Sequence, residues 1–251
     1  MRQMRWLTLL ILLGAAAPVG AMTADELIAK NVEARGGQAK LKEIKSLKAT
    51  GKATFGGGDS VREMAFTMLQ KRPGFLRRER TLQGLTAITS FDGEVGWSLW
   101  PFGGRREPEK LPPDVVKTLR VDADIDGPLV DYKEKGHSVE YLGKEDVDGT
   151  DAHKLKVTLE DGDVQYVYLD PDYFLEIRVL SQEKLRGVEE ESETDLGNYE
   201  RVNGVYMPFS IETGPKGEPK NFKIVLQKVE ANVALDDSLF HFPAPSPGPA
   251  R

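Results

Sequence analysis

Asp122, Asp124 and Asp126, followed by Gly127, reproduce the opening of a calcium-binding loop, D-x-D-x-D-G. Chelation would need about six or more hard oxygens converging on one ion, with a bidentate glutamate closing the loop. Lys133 stands where that glutamate should be, and Pro128 and Val130 fall on intermediate liganding positions. The acids at 122–126 are therefore expected to solvate a loop, with Gly127-Pro128 turning the chain toward Leu129 and Tyr132. His137, His153 and His241 lie in separate segments, and no cysteine exists to join them in a zinc-type site. No Gly-x-Ser-x-Gly elbow occurs, and no glycine-rich turn leads from a strand into a helix, so hydrolase and nucleotide chemistry have no motif to rest on. Glu189, Glu190, Glu191, Glu193 and Asp195 read as a solvated acidic face beside a loop rather than a catalytic pair. With 34 Lys+Arg against 40 Asp+Glu the net charge is −6, which repels phosphate backbones and argues against nucleic acid as a partner. The expectation is a protein with no enzymatic activity, no cofactor and no metal.

What remains are large apolar side chains and the elements that position them. Thr23 is a natural N-cap, Asp25 and Glu26 favour the first helical turn, and Leu27, Ile28, Val32 and Ala34 form a stripe that ends at Gly36-Gly37. A second short helix carries Leu41, Ile44 and Leu47. From Ser46 the period changes to two, because Leu47, Ala49, Ala53 and Phe55 alternate with polar residues. Similar runs cover 64–68, 75–82, 85–91, 95–100, 139–144, 154–159, 164–169, 175–180, 205–212 and 222–229. Asp92-Gly93, Asp148-Gly149, Asp161-Gly162 and Asn203-Gly204 lie between them and suit tight hairpin turns. Residues from Pro112 to Tyr132 read as a short helix followed by the acidic loop. About ten to twelve antiparallel strands with one apolar face each must curl or close, since strand twist and open edges disfavour a flat sheet.

The fold class predicted is mainly β with a few helices (α+β), a barrel or strongly curved sheet whose concave face the helices cover. Strand parity assigns to that face Leu47, Ala49, Phe55, Met64, Phe66, Met68, Trp97, Leu99, Leu155, Val157, Tyr166, Tyr168, Ile177, Phe209, Ile211 and Ile224. Such a stripe fits an ordinary packed core, and it equally fits an apolar ligand cavity in which Met and aromatic faces adapt to an imprecise shape. Periodicity does not separate the two.

Residues 1–21 have the parts of a secretory signal: Arg2 and Arg5, an apolar stretch from Trp6 to Ala17, and Val19-Gly20-Ala21 before the expected cleavage point. No cysteine follows, so lipidation of the bacterial lipoprotein kind is not expected, and the mature chain is placed free in the periplasm. Residues 22–242 are expected to form a single domain. Residues 243–251 are expected to be a disordered Pro-rich tail.

Several short stretches carry a resemblance: Ala24-Asp25-Glu26-Leu27-Ile28 with Ala34-Arg35-Gly36-Gly37, Lys71-Arg72-Pro73 leading to a strand with Arg77, and Phe91-Asp92-Gly93 with Gly96-Trp97. Asp126-Gly127-Pro128-Leu129, Tyr199 to Pro208, and Leu235 to Phe240 complete the set. Together they resemble the outer-membrane lipoprotein-sorting (LolA-like) superfamily across nearly the whole mature chain. The resemblance implies an unclosed antiparallel β-barrel that holds the acyl chains of a lipid or lipoprotein for transfer towards the outer membrane, acting as a monomer with a delivery partner at either membrane. It implies a lid-closure role for Arg72 and places Trp97 in the cavity wall, in parity with Val95 and Leu99. An alternative use of the same fold is an envelope lipid sensor or scaffold that acts through a protein partner.

Overall fold

The computed structural model describes residues 22–57, 61–104, 107–185 and 187–244; residues 1–21, where a secretory signal is expected, and residues 245–251 of the expected tail lie outside them. Helix α1 (Ala24–Ala34) starts as its sequence requires. The Thr23 side chain accepts from the Glu26 backbone and the Glu26 carboxylate accepts from the Thr23 backbone, a reciprocal capping box. Helix α2 (Gln38–Glu43) follows, and then six strands: β1 (Ser46–Phe55), β2 (Arg62–Lys71), β3 (Phe75–Leu82), β4 (Leu85–Phe91), β5 (Gly96–Leu99) and the short β6 (Glu109–Lys110). Helix α3 (Pro113–Ala123) opens with proline in its first turn, where a missing N–H costs nothing. Seven strands complete the chain: β7 (Ser138–Val147), β8 (Thr150–Thr158), β9 (Val164–Leu169), β10 (Glu176–Leu185), β11 (Val188–Val202), β12 (Val205–Pro215) and β13 (Phe222–Ala231). Among the described residues no helix is long and apolar enough to cross a membrane.

All strands join one antiparallel sheet in the order β6-β5-β4-β3-β2-β1-β13-β12-β11-β10-β9-β8-β7. It is therefore two meanders, β1–β6 and β7–β13, sewn together where β1 pairs with β13. The end strands β6 and β7 do not pair, so the barrel is unclosed.

One face carries the helices. Leu27 and Ile28 of α1 pack on Leu155, Val157, Val167 and Leu169. Leu41 and Ile44, at and just after α2, meet Leu47, Val130 and Val205. Leu119 and Ala123 of α3 meet Leu76 and Phe91. The last contact needs Gly96, because a Cβ there would stand 2.8 Å from a Val116 methyl of α3.

The outer face is apolar in places too. Val147, Ala152, Tyr168 and Leu180 form one cluster on it. A second patch is covered by the C-terminal segment, where Phe240 is fully buried against Phe75.

The acidic run at 189–195 starts just after the turn that joins β10 to β11, and Glu189, Glu190 and Glu191 are exposed as expected of a solvated face, but the run is itself strand. It is the first half of β11, paired along its length with β10. Cations on neighbouring elements face three of its acids: Arg178 Nε donates to Asp195 at 2.5 Å, Lys220 pairs with Glu193, and Lys216 stands 3.0 Å from Glu191. Opposite charges set across neighbouring strands replace the apolar alternation by which a strand is usually recognised.

Candidate functional site

Between the helices and the sheet lies a cavity of about 260 Å³. Its walls come from β1, β2, β12 and β13 (Leu47, Ala49, Met68, Met207, Ile211, Leu226, Val229), from β9 to β11 (Val167, Val179, Leu196), and from the segment after α3 (Ile125, Pro128, Leu129). Two breaks in strand regularity shape it. The register of β10 against β9 slips between Glu176 and Arg178, and this bulge turns Glu176 toward the cavity while Ile177 joins the outer cluster. In β11 Asn198 adopts φ 50°, and both Leu196 before it and Tyr199 after it line the hollow. The Tyr199 hydroxyl donates to the Glu176 carbonyl at 2.7 Å. Burial, reinforced by the Glu176 charge, pushes its phenol well above the usual range, so it remains a donor.

Of the sequence-predicted cavity residues, Leu47, Ala49, Met68 and Ile211 line this hollow. Phe66, Phe209 and Ile224 lie on the same face but pack against one another and Ala53 beyond its end, with Met64 directly across from Ala53. Phe55 ends β1 and is 55% exposed. Leu155 and Val157 are sealed beneath α1.

Five others face outward, contrary to the parity expectation. Trp97 pairs across the sheet with Ser90, and both donate to the Phe240 carbonyl, at 2.8 and 3.0 Å. Leu99 shares that parity through its partner Ile88. Tyr166, Tyr168 and Ile177 belong to the outer cluster around Leu180. The physical reason is that both faces of this sheet carry apolar clusters, so alternation gives two apolar stripes and does not say which one encloses the hollow. An indole or phenol also settles where its polar tip finds a partner, as the Tyr168 hydroxyl does on Glu145 at 2.9 Å.

The segment that closes the cavity is held by charge. Asp126 is not a solvated loop acid: it is 1% exposed. Arg72 grips its carboxylate with two parallel bonds, Nη1 to Oδ2 at 2.8 Å and Nη2 to Oδ1 at 2.6 Å. The same guanidinium donates to the carbonyls of Ile44 at 2.7 Å and Leu41 at 3.2 Å, at the end of α2. Arg72 thus ties together the turn after β2, the α2 cover and the segment after α3. Lys42 adds a contact to Asp126 Oδ2 at 2.8 Å, and Arg35 Nη1 donates to the Asp126 carbonyl at 2.7 Å.

Burial alone would raise the Asp126 carboxyl, but the hydrogen bonds and charges of Arg72 and Lys42 outweigh it and hold the pKa at about 2. Asp122 and Asp124 also face cations, Arg78 and Lys135. Among the described residues no group of three or more His, Cys, Asp or Glu is placed to hold a metal ion.

Residue spacing missed Asp126 as the buried partner of Arg72, and it missed Arg35, Glu176, Tyr199 and Met207 in the cavity wall. The only signal for Asp126 was its place in the Asp-Gly-Pro-Leu stretch that carries the resemblance. Glu176 and Tyr199 depend on the irregularities of β10 and β11, which leave no mark in periodicity.

No protein-family model and no curated protein matches the chain. Solved structures do. A LolA superfamily protein from Nitrosomonas europaea is similar over 88% of this chain and 98% of its own, with TM-score 0.59 and 15% identity. A DUF1329 family protein from Desulfovibrio piger is similar over 86% and 96%, with TM-score 0.59 and 13% identity. A putative outer membrane lipoprotein-sorting protein domain from Vibrio parahaemolyticus is similar over 85% and 95%, with TM-score 0.57 and 12% identity. At these identities the likeness is one of fold, and the fold is LolA-like.

Proposed function

We propose that this chain, with the fold of the lipoprotein-sorting proteins, is a non-enzymatic carrier that shelters acyl chains of a lipid or lipoprotein in the periplasm and passes them to a partner towards the outer membrane. The observation that carries the reading is an apolar hollow of about 260 Å³ lying beneath a cover fastened by the Arg72–Asp126 pair. Each methylene moved from water into such a hollow is worth about 0.8 kcal/mol, so a single sheltered chain supplies enough binding energy without any chemistry. Release requires the cover to lift, and a latch of a few directional polar bonds can be exchanged for water or partner contacts more readily than a continuous apolar seal. Arg72 takes the lid-closure role in this reading, because its bonds reach both the α2 cover and the Asp126 segment.

The test is uptake of the neutral dye N-phenylnaphthylamine by delipidated protein, with displacement by acyl lipids. Wild type is expected to bind and Ile211→Trp, which fills the hollow, to lose at least about tenfold in affinity. Absence of dye uptake by the wild type, or undiminished uptake by the variant, would overturn the reading.

A further inference from the structure

In an otherwise mostly apolar wall the cavity holds the ion pair Arg35 and Glu176, whose Nη1 and Oε1 stand 3.7 Å apart with both side chains largely buried. At that separation the two charges attract without a hydrogen bond. Arg35 directs Nη1 to the Asp126 carbonyl. The Glu176 carboxylate receives only a long contact from the Tyr199 hydroxyl, 3.5 Å, since that hydroxyl's short bond goes to the Glu176 backbone. Buried charges normally use most of their hydrogen-bonding capacity, and this pair leaves donors and acceptors unused among the described residues. Gln70, Asp124, Tyr199 and Tyr206 also line the cavity, and of these only Tyr199 makes a side-chain hydrogen bond to Glu176 and none makes one to the Arg35 guanidinium, while Met207, Ile211 and Leu226 are apolar.

We infer that the cavity takes a single acyl chain ending in an uncharged group that both donates and accepts, a hydroxyl or an amide, seated between Arg35 and Glu176. The inference rests on the acyl-binding reading above and names the head group it selects. A neutral hydroxyl accepts from Arg35 and donates to Glu176, so both charges gain a bond and neither loses its counter-charge. A carboxylate head would pair with Arg35 but press against Glu176, and an ammonium would do the reverse. Either ion leaves one buried charge opposed or uncompensated. A volume of about 260 Å³ falls just under the ~300–1,000 Å³ of sites that enclose whole drug-sized ligands, which suits one chain rather than several.

The experiment is competition of monodecanoylglycerol, decanoate and decylammonium against bound N-phenylnaphthylamine at neutral pH, each below its micelle-forming concentration. Monodecanoylglycerol is expected to displace the dye about tenfold more tightly than either ion. In Glu176→Gln, which frees the Arg35 charge, decanoate is expected to gain about tenfold and to overtake decylammonium clearly. Arg35→Gln is the mirror case and is expected to favour decylammonium. Equal displacement by the three probes, or an order unmoved by both variants, overturns the head-group inference and leaves acyl binding standing. Failure of the dye itself to bind overturns both.

Discussion

On the outer face Trp97 and Ser90 both donate to the carbonyl of Phe240, and the Phe240 ring is fully buried, whereas on the helix-covered face Met68, Met207 and Ile211 surround a hollow. The two regions belong to the same sheet and alternate residue by residue. Outside, rings with polar tips are locked by matching carbonyls and carboxylates. Inside, unbranched or branched aliphatic side chains touch one another at the rim of empty space. Tight packing outside holds a segment of the chain itself, and looser packing inside leaves a cavity of about 260 Å³.

Substitutions on the two sides should therefore differ, and the largest effect belongs to the outer lock. Phe240→Ala is expected to lower unfolding free energy by about 4 kcal/mol in urea while leaving dye affinity unchanged. A loss below about 1 kcal/mol would break the contrast. Next is the latch. Arg72→Ala leaves the Asp126 carboxylate buried with only Lys42 beside it, and about 3 kcal/mol should be lost.

The pH dependence sharpens the same point. Asp126 is held at about 2 against an ordinary 3.8, so its contribution is fully present above that ordinary value and is lost as pH falls through about 2. The difference amounts to about 2 kcal/mol, and Asp126→Asn should remove this portion of the acid limb in urea titrations at stepped pH. The smallest effect is expected inside. Met207→Ala enlarges a hollow that already exists and should cost about 1 kcal/mol, well below the usual range for a packed core, while shifting dye affinity.

The helices, the turns and most strands were legible because each rests on a local rule. Thr23 caps, Gly36-Gly37 stops a helix, Asp-Gly pairs turn hairpins, and alternation marks a half-buried strand. Three things were not legible. Alternation states that residues 97 and 99 share a face but not which face, and the covering of the outer side by residues 235–242 reversed the assignment. The acidic half of β11 gained its strand partners from Arg178, Lys216 and Lys220, none of them near it in sequence. Asp126 looked like a solvated acid because its neighbours in sequence are acids, while its neighbours in space are Arg72 and Lys42. Half of the predicted set missed the hollow's own face or lay exposed or sealed under α1 for the same reason: enclosure is a property of the whole sheet.

The first and last strands of the sheet proper, β1 and β13, meet in its middle, where Gly51 lets the backbones approach so closely that a Cβ would fall 2.1 Å from the Val225 carbonyl oxygen. The wall is thus two ribbons stitched along one central seam, with both margins, β6 and β7, at maximum distance from the stitching. Residues 111–137 are the stretch of chain that runs from one margin to the other, and they carry Asp126. That strap is fixed to the sheet and the first helices by charge, through Arg72, Lys42 and Arg35 on Asp126 and Arg78 on Asp122, so the span between the two free margins is bridged by side-chain bonds rather than by strand pairing.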